Sequence, residues 1–195
     1  TILWYVDDNK LSHVDPNVNT RIIEDIQGEY GDLVISRGKK HTFLGMDITF
    51  LEDGTLRIGT KDHLKESIAM FGEDVSTNVS SAATKHLFDV NPDAARLDTV
   101  KADIFHSVVV KLLWIEKRSR PDIETPISFL CTRVSYSDVD DWKKLLRLLQ
   151  FLVQTIDDER VIGVDSLYEL HTFVDARYAI PPDMQCHTGD SMAFS

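Results

Sequence analysis

Cysteine is scarce in this chain of 195 residues: only Cys131 and Cys186 are present, and they lie far apart. Neither they nor the seven histidines show the spacing of a metal site. His63 and Glu66 stand one turn apart in a predicted helix, a pair that is typical of a solvated surface. The pattern favours free thiols over a disulfide framework, and we expect an intracellular, cytoplasmic location.

Long hydrophobic runs are also missing. The longest apolar stretch, Val108 to Ile115, is interrupted by Lys111, whereas a membrane-spanning helix needs about 20 consecutive apolar residues. We therefore expect no membrane partner. The first residues, Thr1 to Val6, predict a strand and contain no basic targeting segment, so we expect the chain to start inside a domain.

Positive charge is in short supply. Lys and Arg number 21 against 32 Asp and Glu, which gives a formal net charge of −11. This balance disfavours a dedicated nucleic-acid binder, because phosphate neutralisation requires cations. The basic residues form three local clusters, each more typical of a solvated face than of a phosphate track. The clusters are Arg37, Lys39 and Lys40; Lys117, Arg118 and Arg120; and Lys143, Lys144 and Arg147.

A predicted β-hairpin carries the strongest chemical signal. The apolar run Thr1 to Val6, followed by turn-forming Asp7-Asp8-Asn9 and a second short strand, places two adjacent carboxylates at the bend. Asp-Asp-Asn is also good turn chemistry, and for these residues alone a structural turn is the more common explanation. In a functional site, the hard carboxylate oxygens hold Mg²⁺, or Mn²⁺, during nucleotidyl transfer.

The remaining pattern mixes helices and strands, which predicts the fold class α+β. Asp15-Pro16 supplies a cap and a first-turn proline, and apolar residues then recur at helical spacing until Gly31. Residues 73–98 are polar and irregular, which favours a linker. Further strands are predicted at Leu33–Ser36, Thr42–Leu51, Thr55–Gly59, Glu169–Val174 and Met184–Ser195, and further helices between Thr60 and Gly72 and at Lys101–Lys117, Ile123–Arg133 and Val139–Thr155.

Several of these segments resemble one family in the order in which they occur. Tyr5-Val6-Asp7-Asp8 resembles the polymerase motif of reverse transcriptases, and its flanks resemble copia-type retrotransposons in particular. Phe43-Leu44-Gly45-Met46 resembles the segment that positions the primer end, where glycine permits close approach of the backbone to nucleic acid. The other matching segments are Phe105-His106-Ser107, Leu112-Leu113-Trp114, Arg118 to Ile123, Phe173-Val174-Asp175-Ala176 and His187-Thr188-Gly189.

The resemblance implies a fragment of the Pol polyprotein of a copia-type element. Asp7 and Asp8 are then catalytic metal ligands of an RNA-directed DNA polymerase, and Asp175 is a catalytic metal ligand of an associated ribonuclease H. The implied partners are an RNA template, a DNA primer, deoxynucleotides and the rest of the polyprotein, within a virus-like particle for an intact element. The implied domains are the C-terminal palm and primer-contacting thumb segment at 1–72, a linker at 73–100, a helical connection at 101–168 and a truncated ribonuclease H-like start at 169–195.

The family's polymerase site also needs an upstream Asp and its ribonuclease H site needs downstream acids, so we expect this chain to be inactive in isolation.

Two other hypotheses stay open. A non-catalytic remnant of the element, or an adopted nucleic-acid-binding or protein-binding module, is favoured by the acidic balance. An unrelated two-carboxylate phosphotransferase would need further ligands, and Asp140-Asp141 and Asp157-Asp158 flank a helix, where acidic residues are ordinary caps or surface groups.

Overall fold

A computed structural model describes residues 1–164, 168–177 and 187–194 of the chain. These residues form a mixed α+β structure, as the sequence predicts. Its main core is formed by residues between Leu64 and Leu152, most of them helical, and a four-stranded sheet contributes no residue to this cluster. Within the described residues, none of the helices is long and apolar enough to cross a membrane.

The predicted N-terminal hairpin and the helix after it both form, although the turn comes one residue earlier than the predicted Asp7-Asp8-Asn9 and Asp8 and Asn9 belong to the second strand. Strands β1 (Ile2–Tyr5) and β2 (Asp8–Leu11) pair antiparallel, with Tyr5 opposite Asp8, so Val6 and Asp7 form a two-residue turn. Helix α1 (Pro16–Tyr30) begins where the Asp15 carboxylate accepts a hydrogen bond from the Asn17 amide at 2.9 Å. It ends at Gly31, whose φ of +85° suits a residue without a Cβ.

The strand predicted at Leu33–Ser36 does not form. Residues 31–37 have no regular secondary structure, and Val34 is fully exposed. A short apolar segment favours a strand only where a neighbouring strand offers hydrogen-bond partners, and none of the described strands pairs with this segment.

The single strand predicted at Thr42–Leu51 is wrong. Two strands, β3 (Lys40–Phe43) and β4 (Met46–Phe50), instead form a hairpin around Leu44 and Gly45. Both turn residues have positive φ, +51° and +73°, as the tightest hairpin turns require. Leucine is rare in such a turn, so only Gly45 of the two turn residues indicates the turn in the sequence.

The rest of this sheet is partly predicted. Strand β5 (Leu56–Gly59) pairs with β4 and agrees with the prediction to within one residue. Strand β6 (Arg160–Ile162) pairs with β5, which gives the order β3-β4-β5-β6. The sequence did not predict β6, because its three residues fall inside the section that was expected to be a helical connection.

The helices agree closely with the prediction, and their apolar faces meet in one core. They are α2 (Lys61–Phe71), α3 (Thr99–Arg118), a 3-10 turn (Pro121–Ile123), α4 (Glu124–Arg133) and α5 (Val139–Gln154). Helix α5 begins with a capping box, in which Asp138 and Asp141 each accept a hydrogen bond from the other's backbone amide. The Phe71 and Trp142 rings stack at 4.4 Å, which joins α2 to α5. Fully buried members of this core, each worth roughly 1.5–3 kcal/mol of transfer free energy, include Phe105, Leu112, Ile127, Leu130, Leu148 and Leu152.

The segment predicted as a linker packs onto this core. Residues 73–98 form no helix or strand, apart from a single bridge between Arg96 and Asp138. Leu87 is nevertheless buried in the same cluster as Phe71 and Trp142. The proposed division into domains stays a prediction, but this part of the chain is not a free tether between separate cores.

A second two-stranded sheet lies at the C-terminal end of the described chain. Strands β7 (Leu170–Arg177) and β8 (His187–Phe194) pair antiparallel, which confirms the first predicted strand and extends it. The first residues of the strand predicted at Met184–Ser195 lie outside the described residues, as does the last one.

Candidate functional site

The two candidate polymerase carboxylates lie at the tip of an exposed hairpin. Asp7 belongs to the turn itself, and Asp8 is the first residue of β2, directly opposite Tyr5. Both are exposed. Strand alternation would place Asp7 opposite to Val6, but the strand has already ended at Tyr5 and Val6 has a positive φ of 51°. The turn geometry therefore decides where the Asp7 carboxylate lies.

Trp4 fixes this turn. Its indole Nε1 donates a hydrogen bond of 2.9 Å to the Val6 carbonyl oxygen, and Val6 immediately precedes Asp7. The sequence singled out Trp4 only as a residue that flanks the motif. The structure gives it a local physical role, because the bond holds one of the two turn residues against the indole.

The apolar strand of this hairpin is covered on neither face. Ile2, Leu3, Trp4 and Tyr5 are between 50% and 59% exposed, although their side chains alternate between the two faces of the strand. Residues 1–37 as a whole contain no buried residue. Contiguous exposed apolar surface of this kind is typical of a contact surface.

The donor chemistry at Asp7 and Asp8 suits Mg²⁺, which takes oxygen ligands and is often bound through one or two carboxylates together with water and substrate phosphates. No group of three or more His, Cys, Asp or Glu side chains within the described part of the chain could hold a metal ion. Asp7 and Asp8 are thus two candidate ligands, and the described residues add no third. Asp175 pairs through its backbone with Gly189, and its side chain lies outside the described atoms.

The primer-positioning candidates occupy the β3-β4 turn. Phe43 ends β3, Leu44 and Gly45 form the turn, and Met46 begins β4. Gly45 is exposed at the tip, and the His63 imidazole stands directly beside its Cα. A Cβ at this position would overlap His63 Nε2 and lie 3.0 Å from Cδ2.

His63 connects this turn to the helical part of the molecule. Its ring centroid lies 4.7 Å from that of Trp114 on α3, and the guanidinium carbon of Arg118, one turn further along α3, lies 5.0 Å from the same indole. On the α2 side, His63 Nδ1 lies 3.9 Å from a carboxylate oxygen of Glu66. Local spacing indicated only a surface pair of His63 with Glu66, and it could not predict the contacts of His63 with Gly45 and Trp114.

Glu66 belongs to an exposed ion pair beside this group. Lys111 Nζ donates to Glu66 Oε2 at 2.9 Å, and this hydrogen bond, reinforced by the lysine charge, lowers the pKa of the Glu66 carboxyl. The charge of Lys111 is therefore balanced within the protein.

A cation–π contact links the two candidate regions. Lys10 Nζ lies 5.1 Å from the centroid of the Phe50 ring. Lys10 is in β2, which begins at Asp8, and Phe50 is in β4, which follows the Gly45 turn. The carboxylate hairpin and the primer-positioning hairpin are therefore in contact through these side chains.

Most of the predicted basic clusters are neutralised within the chain. Arg120 is buried and donates to both carboxylate oxygens of Asp122 and to Thr155, so it fixes the junction between α3 and α4. Lys117 pairs with Glu116 and Glu124. Lys39, Lys143 and Lys144 each have a carboxylate partner as well. Five of the nine clustered cations are paired in this way, whereas Arg37, Lys40, Arg118 and Arg147 form no ion pair within the described residues.

Comparison of the chain with family models, with curated proteins and with solved structures gave no match. The resemblance to copia-type reverse transcriptases therefore stays a prediction that rests on the ordered motifs.

Proposed function

We propose that this chain is part of the RNA-directed DNA polymerase of a copia-type retrotransposon, with the beginning of a ribonuclease H-like domain at its C-terminal end. The observation that carries the proposal is the hairpin tip, where two adjacent carboxylates follow directly after an apolar strand that is exposed on both faces. A turn needs only one turn-forming Asp. An isolated two-stranded hairpin cannot bury the exposed apolar side chains of Ile2, Leu3 and Tyr5. In this proposal β1, β2 and α1 belong to a polymerase palm whose other strands cover the apolar faces.

The remaining elements have corresponding roles in the proposal. The β3-β4 turn with α2 forms the primer-contacting segment, α3 to α5 form the helical connection, and the β7-β8 hairpin begins the ribonuclease H-like domain with Asp175 as a ligand. The partners are an RNA template, a DNA primer, deoxynucleotides and the rest of the Pol polyprotein. An intact element would hold this assembly in a cytoplasmic virus-like particle.

Different residues of the chain have different roles in the proposed nucleotidyl transfer. Asp7 and Asp8 would hold Mg²⁺, or Mn²⁺, which when bound supplies charge neutralisation for an in-line displacement at phosphorus. Trp4 keeps the turn that carries Asp7 in place through its bond to Val6. Gly45 presents bare backbone at an exposed tip, where a nucleic-acid strand can approach closely. The contact of Lys10 with Phe50 keeps these two hairpins together.

The test is extension of a DNA primer on an RNA template by this chain joined to the upstream half of a copia-type polymerase. We expect Mg²⁺-dependent incorporation of deoxynucleotides by the joined protein. Asp7→Asn should abolish it, because the substitution removes a charged ligand and keeps the side-chain size. The isolated chain should be inactive both in extension and in hydrolysis of the RNA strand of a hybrid. Extension that survives Asp7→Asn unchanged would refute the proposed site.

A non-catalytic remnant or an adopted binding module is the second candidate. The net charge of −11 and the internal pairing of Lys117, Arg120 and Lys143 favour it, because a polymerase must hold a polyanion. A transcript that ends within these 195 residues supports this candidate. A transcript that continues on both sides in one reading frame supports the polymerase.

A further inference from the structure

Four groups stand in a row between the β3-β4 hairpin and helix α3, and we call them the His63 stack: Gly45, His63, Trp114 and Arg118. The imidazole fills the space beside Gly45, its centroid lies 4.7 Å from that of the Trp114 ring, and the Arg118 guanidinium lies 5.0 Å from the indole. The His63 side chain is 37% exposed, and Trp114 and Arg118 are half-buried. Part of each aromatic and cationic group is therefore open to solvent.

Arg118 differs from the cations around it. Lys111 is paired with Glu66, and Lys117 is paired with Glu116 and Glu124. Of the residues that the structure describes, none forms an ion pair with Arg118, whose contact is with the Trp114 ring. The charge of Arg118 thus stays available to an anion from outside, unlike the charges of Lys111 and Lys117.

We propose that the His63 stack is a binding site for a nucleic-acid strand, with Arg118 contacting a phosphate, the His63 and Trp114 rings packing against a base or sugar, and the Gly45 turn lying along the backbone. This inference rests on the proposed function for its choice of ligand. A guanidinium suits phosphate because its planar donors match two phosphate oxygens. Aromatic rings accept any base by stacking, so the site selects a nucleic-acid strand without selecting its sequence.

The position of the stack connects it with the proposed primer segment. The β3-β4 turn requires the positive φ of Gly45, and His63 fixes the position of that turn relative to α3. A strand that contacts the exposed turn is therefore brought to Trp114 and Arg118, which lie on the next element behind it.

The experiment measures binding of a fluorescein-labelled DNA primer annealed to an RNA template, by fluorescence anisotropy, with the full chain. Arg118→Gln removes the charge at the stack, and Lys85→Gln removes an exposed charge from the 73–98 segment, so the two variants have the same net charge. Loss of one phosphate contact should weaken binding about fivefold for Arg118→Gln and lower the salt slope of the binding constant by about one unit between roughly 50 and 200 mM salt. Lys85→Gln should bind within about twofold of the unchanged chain, because salt screens the attraction between a remote charge and the duplex.

A second variant of the stack, His63→Ala, keeps the test valid if Arg118→Gln fails to fold. His63→Ala removes a ring that is partly exposed, and it should weaken binding about threefold or more through lost stacking. Melting temperatures of all three variants show that they are folded. The proposal is overturned if both Arg118→Gln and His63→Ala bind as well as the unchanged chain, if Lys85→Gln weakens binding equally, or if the unchanged chain does not bind the duplex.

Failure of the site and failure of the proposed function give different results. Binding that depends on Arg118 and His63, combined with a joined protein that does not extend primers, would refute the polymerase and retain the site. Active extension combined with binding that ignores both residues would refute the site and retain the polymerase.

Discussion

The imidazole of His63 occupies the space into which any side chain at Gly45 would point. Gly45 also has a φ of +73°, in the left-handed region that disfavours residues with a Cβ. Two separate physical reasons thus keep glycine at this turn. The first belongs to tertiary packing and the second to the local backbone, and mutagenesis can separate them.

Gly45→Ala should destabilise the protein more than Gly54→Ala does. Gly54 has a similar φ of +85° but nothing within 4 Å of a Cβ, so it measures the backbone term alone, about 1 kcal/mol. Adding His63→Ala to Gly45→Ala should recover the excess, because the overlapping imidazole is then gone. Urea unfolding of the single and double variants gives the coupling free energy. Strictly additive effects would show that His63 does not press on the turn.

Asp7 and Asp8 should be unequal in the joined polymerase. Asp7 lies within the turn, whereas Asp8 is already paired across the hairpin with Tyr5. Together with the resemblance, this leads us to expect that Asp7 is the direct metal ligand and that Asp8 supplies negative potential or a water-mediated contact. Asp7→Asn should abolish extension, and Asp8→Asn should retain detectable activity that higher Mg²⁺ or Mn²⁺ partly restores.

A metal titration of both variants measures this difference. Asp25→Asn, an exposed carboxylate on α1, makes the same charge change and should leave extension unaltered. If Asp8→Asn is the less active of the two, or if the two variants respond identically to metal, the assignment of roles is wrong.

Leu87→Ala tests whether the 73–98 segment belongs to the core. Leu87 is 5% exposed and lies in the cluster with Phe71 and Trp142, so truncation should lower the free energy of unfolding by about 2–4 kcal/mol. Val90→Ala, in the same segment but 39% exposed, should cost well under about 1 kcal/mol. Equal and small losses in urea unfolding would mean that the segment is a tether, as the sequence suggested.

Cys131 should react slowly with thiol reagents. Burial raises the pKa of its thiol, and the negative charge of Glu116 raises it further, so the reactive thiolate is scarcer than in a free cysteine. Alkylation at about pH 8, followed by mass spectrometry of the Cys131 peptide, should be slower in buffer than in urea. Equal rates in the two conditions would show that the folded environment does not suppress the thiolate.

The sequence by itself determined the elements that local chemistry defines. Asp15-Pro16 and Gly31 bound α1, α5 begins at Val139, and the carboxylates of Asp7 and Asp8 lie at a hairpin tip, all as predicted. These features depend on residues within a few positions of one another, where caps, φ preferences and apolar spacing act directly. The site candidates Phe43 to Met46 were located as a segment, although their conformation was not.

Tertiary structure alone decided the rest. Thr60 directly precedes α2, but its hydroxyl forms a hydrogen bond with Ser119 beyond α3 and makes no side-chain cap bond. Arg57 pairs with Val161 to add β6 to the sheet, and His63 meets both Gly45 and Trp114. Each of these contacts joins residues that are distant in the chain. A single sequence does not encode such a contact in any local pattern, because its free energy depends on which surfaces the finished fold brings together.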